Sequence, residues 1–139
     1  MIVKIEEGTT ILKKRSILVT EDLELYLPHS LTRMESGAIY AGWFKHYKVN
    51  VYYNGTMEEY KNILKGDCEK VVVHDEYGAY YHHAPEYEIC LYFYNWYHYD
   101  SFDKPVINCL DGTFIENSDE VENKCRKIFL EENPNWDKD

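Results

Sequence analysis

The sequence predicts an α+β fold built mainly from antiparallel β-sheet, with one inserted helix at about 56–65 and a C-terminal helix at about 118–132. Three observations lead to this prediction. Short runs rich in valine, isoleucine and tyrosine recur along the chain and are typical of strands. Two segments have the end signals and the apolar spacing of helices. Strands and helices do not alternate regularly, as they would in a parallel α/β sheet.

The predicted strands cover most of the chain as far as residue 99. Each is a run of apolar or β-branched residues bounded by turn-forming residues. They are residues 2–5, 10–12, 17–20, 23–27, 38–53 with a break, 70–74, 79–82 and 87–99. Residues 75–78, which end in Gly78, predict a hairpin turn between two of these strands. No repeat of 20 to 50 residues is visible.

The two predicted helices have recognisable ends. Thr56 and Glu59 have the spacing of a capping box at the start of the first helix, and Gly66 is expected to end it. Pro134 is expected to stop the second helix. The buried stripe of the second helix is predicted at Val121, Cys125, Ile128 and Phe129.

Size and charge limit the classes of function. A chain of 139 residues predicts one globular domain, residues 1–133, followed by a flexible acidic tail, residues 134–139. The N-terminus has no signal-peptide pattern, and the four cysteines form no CxxC pair, so we expect a cytoplasmic protein with reduced thiols. The formal charge of −10 repels nucleic acid and anionic membranes and attracts basic surfaces.

The stretch EYEICLYFYNWYHYDSF, residues 86–102, is unusual for a strand because both of its faces carry aromatic residues. Successive side chains of a strand point to opposite faces. Ile89, Leu91 and Phe93 are therefore expected in the core, and Tyr92, Tyr94 and Trp96 form an outward row. In residues 43–53 the same alternation predicts that Trp43 faces inward and that His46 and Tyr52 face outward. If the two stretches pair, their outward rows form one patch.

We interpret this patch as a surface that binds a protein partner. Tyrosine and tryptophan are enriched at interface hot spots, and acidic residues flank the aromatic strand. Two alternatives remain: the protein's own layers cover the second row, or the row stacks nucleic-acid bases, which the negative charge disfavours. The predicted partner-binding residues are Tyr92, Tyr94, Trp96, His98, Glu86, Glu88, Asp100, Asp103, Tyr52 and His46.

No catalytic signature is present, so the sequence predicts a binding protein that is not an enzyme and that needs no metal and no cofactor. We expect it to inhibit a basic partner by occupying a positively charged site. The partner would be a nuclease, as for a phage counter-defence or anti-CRISPR-type inhibitor, or a toxin, as for an immunity protein. The alternative is a small ligand-binding protein or enzyme with a pocket lined by Tyr80, Tyr81, His82, His83 and Tyr92. A homodimer that forms through the tyrosine row is a further possibility.

Overall fold

The computed structural model describes residues 1–74 and 87–138, and within them the chain forms twelve strands and two helices. The strands are β1 (Ile2–Lys4), β2 (Ile11–Leu12), β3 (Ile17–Val19), β4 (Leu23–Leu27), β5 (Arg33–Met34), β6 (Ile39–Ala41), β7 (Val49–Tyr53), β8 (Leu64–Lys65), β9 (Asp67–His74), β10 (Tyr87–Tyr94), β11 (Val106–Cys109) and β12 (Gly112–Ile115). The helices are α1 (Met57–Asn62) and α2 (Ser118–Glu132).

From β1 to β8 the chain winds in coils that stack on one another. The strands β1, β2 and β3 of the first coil pair in parallel with β4, β5 and β6 of the second coil. A third coil adds β7 beside β4 and β8 beside β5. In all three strand pairs between the first two coils, the paired residues are 22 positions apart in the sequence: Ile2 with Glu24, Ile11 with Arg33, and Ile17 with Ile39. Such stacking is the architecture of a parallel β-solenoid.

The largely parallel pairing corrects the prediction of a mainly antiparallel sheet. The central sheet has the order β1-β4-β7-β11-β12, and its β11–β12 pair is antiparallel. Parallel strands need a long crossover, which is often a helix. In this chain the other short strands of a coil form the crossover, so the sequence shows no regular alternation of strand and helix.

The coils repeat in the structure although no repeat of 20 to 50 residues is visible in the sequence. Leu23 pairs with Val49, which is 26 positions further on, and Arg33 pairs with Leu64, which is 31 positions further on. A loop between β6 and β7 and the insertion of α1 account for the longer third coil. The period is therefore too irregular to be seen in the sequence.

The main core lies inside the coils. Alternate residues of β4 are buried at Leu23, Leu25 and Leu27, while the intervening side chains are partly exposed. The other strands contribute further buried aliphatic residues: Val19, Met34, Ile39, Val49, Val51 and Ile107. This dense packing gives the loops between the strands a rigid support.

Helix α1 has the predicted start and ends earlier than predicted. Thr56 Oγ1 accepts a hydrogen bond from the Glu59 amide (3.1 Å), and Glu59 Oε1 accepts one from the Thr56 amide (3.1 Å). The helix stops at Asn62 because the chain then extends into β8, which pairs with β5.

Gly66, which was expected to end this helix, instead follows β8. It has a φ of +77°, and a Cβ at that position would overlap the carbonyl oxygen of Tyr94. Glycine is therefore required there by both conformation and space.

Helix α2 confirms the predicted bounds of the second helix. The side-chain oxygen of Asn117 accepts hydrogen bonds from the amides of Asp119 (3.0 Å) and Glu120 (3.3 Å), so Asn117 caps the N-terminus. The predicted stripe is less buried than expected, because Cys125 is buried while Val121, Ile128 and Phe129 are half-buried. Neither helix has the length and apolar character needed to cross a membrane.

Strands β9 and β10 form a separate antiparallel pair, in which Tyr94 lies opposite Asp67 and Tyr87 lies opposite His74. The condition that residues 43–53 pair with the aromatic strand is not met by β7 and β10, because β7 pairs with β4 and β11 and β10 pairs with β9. The predicted turn at residues 75–78 and the predicted strand at 79–82 lie outside the described residues.

Candidate functional site

The outward row of β10 is exposed at Tyr92 and Tyr94, which expose 44% and 45% of their surface. Their rings are 6.5 Å apart and tilted by 42°. The opposite face is formed by Ile89, Leu91 and Phe93, which the sequence predicted to lie in the core. These side chains are half-buried and lie outside the main core, so that prediction is wrong. This face belongs to the β9–β10 pair, which packs against α2. For example, Arg126 Nη1 donates a hydrogen bond to the Leu91 carbonyl (2.9 Å).

Trp96 is buried, which contradicts its predicted role in partner binding. Strand β10 ends at Tyr94, and the side-chain oxygen of Asn95 accepts a hydrogen bond from the Trp96 amide (2.8 Å). The alternation of faces therefore does not continue to Trp96. Its side chain has 0% exposure, and its indole nitrogen donates to Glu116 Oε2 (2.8 Å). A partner cannot contact Trp96 in the folded protein.

Glu116 is the centre of a buried polar cluster that the sequence did not indicate. Its Oε1 accepts a hydrogen bond from the Tyr60 hydroxyl (2.9 Å), and burial raises the pKa of Glu116. Lys65 is also buried, and its ammonium group donates to the carbonyls of Tyr60 (2.9 Å) and Ile63 (3.0 Å). Burial lowers the pKa of Lys65 to about 8, against the opposing effect of Glu116. The cluster borders a cavity of about 210 Å³ and joins α1 and β8 to the segment after β12.

Two loops, residues 42–47 and 98–103, pack side by side. The Tyr47 amide donates to the Ser101 carbonyl (2.9 Å), and the Asp103 amide donates to the Tyr47 carbonyl (3.0 Å). Phe102 is buried beneath them, with its ring 6.5 Å from that of Tyr47. These contacts hold both loops in one arrangement. Loops that are already ordered before binding lose less conformational entropy when a partner binds.

The two loops present large aromatic side chains to solvent. Trp43 exposes 89% of its surface, Phe44 is fully exposed, and Tyr99 exposes 76%. The Tyr99 ring stacks on that of His98, with centroids 5.6 Å apart and an angle of 6°. Asp100 on the second loop is also exposed. We call these five residues the loop-pair surface.

The inward position predicted for Trp43 is wrong. The predicted strand at 38–53 has its break between β6 and β7, so Trp43 lies in a loop where no alternation of faces applies. Its neighbour Phe44 has a φ of +63°, a conformation that residues other than glycine rarely adopt. Backbone strain of this kind is concentrated at functional sites. The signal available in the sequence was the Gly42-Trp43-Phe44 triplet, because glycine next to two large aromatics is unusual within a strand.

His46 and Asp103, both predicted site residues, form an ion pair between the two loops. The hydrogen bond to Asp103 is the main cause that raises the pKa of His46 above its ordinary value, while desolvation opposes it. Because the folded pKa is raised, the pair stabilises the loop contact fully below about pH 6.5, and this contribution is lost as the pH rises through the raised pKa.

We expect NMR titration of the His46 ring to give a pKa above that of an unperturbed histidine. Asp103→Asn should lower this pKa, because the neutral amide no longer favours the imidazolium. Glu131→Gln, which removes one exposed charge from α2, is the control and should leave the His46 pKa unchanged. Equal pKa values in the Asp103→Asn variant and the unmodified protein would contradict the assignment of this pair.

The remaining predicted residues lie elsewhere or outside the described part. Tyr52 is exposed on the central sheet, where its ring stacks on that of Tyr26 with centroids 4.8 Å apart. Sheet pairing does not place Tyr52 beside Tyr92 and Tyr94. Glu86 lies outside the described residues. Glu88 belongs to β10, opposite Val73, and its side chain is not described.

A surface cavity of about 540 Å³ joins the end of β10 to the loop-pair surface. Phe93, Tyr94, Asn95, Tyr97, His98, Tyr99, Ser36, Gly37, Ser118, Asp119 and Glu122 line it. Tyr97 is buried, and desolvation raises its pKa to about 12, so its hydroxyl stays neutral at physiological pH. The cavity therefore combines aromatic rings with the carboxylates of Asp119 and Glu122.

Among the described residues, no group of three or more His, Cys, Asp or Glu side chains is placed to hold a metal ion. Most of the alternative pocket predicted from the sequence, Tyr80, Tyr81, His82 and His83, lies outside the described residues, so this alternative stays a prediction.

No protein-family model, no curated protein and no solved structure matches this chain.

Proposed function

We propose that this is a non-enzymatic acidic binding protein that inhibits a basic partner by occupying the partner's positively charged site. A nucleic-acid-processing nuclease is one such partner, and the protein would then act as a phage counter-defence or anti-CRISPR-type inhibitor. A toxin is the other, and the protein would then act as an immunity protein. The proposal places this activity in the cytoplasm and gives no part to a metal or a cofactor.

The charge of the chain supports a basic partner. The chain has 25 acidic residues and 15 lysines and arginines, which give a formal charge of −10. A field of this sign increases the rate of encounter with a basic surface and disfavours acidic ones. Charge alone does not give a stable complex, so a contact surface is also required.

The single observation that carries the proposal is the exposure of Trp43, Phe44 and Tyr99 on two loops that are held together by hydrogen bonds. Exposed aromatic side chains are a liability for a monomer in water and are typical of binding surfaces. Tryptophan and tyrosine are enriched among residues that dominate binding energy. Asp100 and Asp103 belong to the second of these loops, so acidic groups accompany the aromatic contacts.

The predicted residues Tyr92, Tyr94, His98, Asp100, Asp103 and His46 are retained in this proposal. Trp96 is excluded by its burial. Trp43, Phe44 and Tyr99 are added because of their exposure. The centre of the interface therefore moves from the middle of β10 to the loop-pair surface.

We expect the double variant Trp43→Ser/Phe44→Ser to weaken partner binding by roughly 30-fold or more, which corresponds to about 2 kcal/mol for a hot spot. The matched control is Leu110→Ser/Ile115→Ser, which also removes two exposed apolar side chains but leaves both loops intact. Pull-downs from native lysate with mass spectrometry would identify the partner, and surface plasmon resonance with the purified partner would then measure affinity. Thermal melts would show that both double variants are folded.

The partner recovered should be a basic nuclease or toxin whose activity falls when the protein is added. Its association rate should decrease steeply with ionic strength, because charges are screened beyond about 8 Å at physiological salt. An association rate that does not change with salt would refute the basic-partner proposal. Undiminished binding by the loop double variant would refute the assignment of the surface.

A further inference from the structure

The cavity of about 540 Å³ beside the loop-pair surface has a volume within the usual range for ligand sites. Three parts of the chain build it: the end of β10 with the segment that follows it, the turn at Ser36 and Gly37, and the N-terminal part of α2. Backbone hydrogen bonds connect the first two, because the Gly37 amide donates to the Asn95 carbonyl (2.9 Å) and the Ile39 amide donates to the Trp96 carbonyl (3.2 Å). The cavity wall is therefore anchored to the second coil.

The charge of the lining favours a cation. Asp119 and Glu122 contribute carboxylates, and among the described lining residues there is no lysine or arginine. Arg126 Nε donates to Glu122 Oε2 (2.9 Å), so Glu122 is partly neutralised. Asp119 is exposed and forms no ion pair within the described part of the chain, which makes it the carboxylate that an incoming cation would meet.

The start of α2 does not make the cavity an anion site. A helix N-terminus attracts anions through its unpaired amide groups. In α2 the amides of Asp119 and Glu120 already donate to the side chain of Asn117, and the first turn carries two carboxylates. An incoming anion would therefore meet negative charge rather than open amide groups.

The aromatic lining suits a guanidinium group in particular. Tyr94, His98 and Tyr99 line the cavity near its opening to solvent, since all three are exposed. A guanidinium is planar, stacks on aromatic faces and pairs with carboxylates through two parallel hydrogen bonds. A lysine ammonium is a strongly hydrated point charge and gains less from such a site.

We propose that this cavity receives an arginine side chain of the basic partner, with its guanidinium stacked on the aromatic lining and paired with Asp119. The inference rests on the proposed function and deepens it, because His98 and Tyr99 belong both to the cavity and to the loop-pair surface. An arginine in the cavity would fix the position of the partner, and the exposed aromatics would contribute the contact area around it.

The cavity can be tested without the partner. The probe is the capped tripeptide acetyl-Gly-Arg-Gly-amide, and its control is the same peptide with citrulline, which has nearly the same shape as arginine and no charge. Titrations followed by ¹H–¹⁵N NMR should give saturable shifts at the amides of Tyr94, His98 and Tyr99, with a Kd of roughly 1 mM. The citrulline peptide should bind at least about fivefold more weakly, as loss of an ion pair of about 1 kcal/mol implies.

Two variants connect these shifts to the cavity. Asp119→Asn should weaken binding of the arginine peptide about fivefold, whereas Glu131→Gln, on the same helix but outside the lining, should leave it unchanged. Absence of saturable shifts, equal binding of the citrulline peptide, or equal binding by both variants would overturn the inference.

The failure of this inference is distinguishable from failure of the proposed function. If Trp43→Ser/Phe44→Ser loses the partner while Asp119→Asn and Tyr94→Ala keep it at full affinity, the loop-pair surface is the interface and the cavity is not part of it. If the arginine peptide binds as expected and no basic partner is recovered, the cavity is a guanidinium site and the proposed inhibition is wrong.

Discussion

Trp96→Ala is expected to lower the free energy of unfolding by about 3 to 5 kcal/mol, as loss of a large buried aromatic side chain does. The indole has 0% exposure and packs edge-on against Tyr97, with ring centroids 5.3 Å apart. Its nitrogen also donates to Glu116, so the variant removes a buried hydrogen bond as well as a large apolar surface. Urea denaturation followed by circular dichroism measures the change.

Tyr94→Ala is the control for this experiment. Tyr94 lies two residues before Trp96, and the sequence predicted that both side chains belong to the same outward row. Its ring is 45% exposed, so we expect a loss of no more than about 1 kcal/mol. If the two variants lost stability equally, the burial of Trp96 would be contradicted and its predicted place in the outward row restored.

Glu116→Ala is expected to destabilise the protein by about 3 to 5 kcal/mol, because removing one member of a buried charged network leaves the others unpaired. Tyr60 and Trp96 would lose their acceptor. The buried ammonium group of Lys65 would also lose the nearby negative charge of Glu116. This charge raises the pKa of Lys65 and so partly offsets the cost of burying the ammonium group.

Two comparisons separate this mechanism from a simple loss of packing. Glu116→Gln keeps one acceptor oxygen and should lose clearly less stability than Glu116→Ala. Glu120→Ala removes an exposed glutamate from the first turn of α2 and should change stability by no more than about 1 kcal/mol, the scale of a helix-dipole contribution. Denaturant titrations of the three variants that gave equal losses would show that Glu116 is not the centre of the cluster.

The helices were predictable because their signals are local. A capping box and an apolar stripe lie within a few residues of each other, and both starts are confirmed. The direction of strand pairing was not predictable, since it depends on residues 22 positions apart, and some of these pairs, such as Ile2 with Glu24 and Ile11 with Arg33, share no side-chain character. Local pattern therefore identified most strands without indicating which strands are neighbours.

The predicted alternation of faces in the aromatic stretch holds only where β10 remains a strand. Tyr92 and Tyr94 are exposed as the alternation of faces requires, but the chain turns at Asn95 and Trp96 is directed into the protein. Trp43 shows the opposite error, because a loop replaces the predicted strand. Tryptophan has an apolar body and one polar atom, so its presence in a sequence does not distinguish a core position from an interface position.

The first coil leaves one edge of each of its three strands without a neighbour in the described sheets. Such an edge is a template on which further copies of a chain can grow into fibres. Each of these strands also exposes an apolar residue, at Ile2, Ile11 and Leu18. The exposed cations of this coil are Lys4, Lys13, Lys14 and Arg15. We expect the charged side chains of this coil, which include Glu6 and Glu7 as well as these cations, to disfavour growth on this edge, because charges on edge strands oppose pairing with another chain.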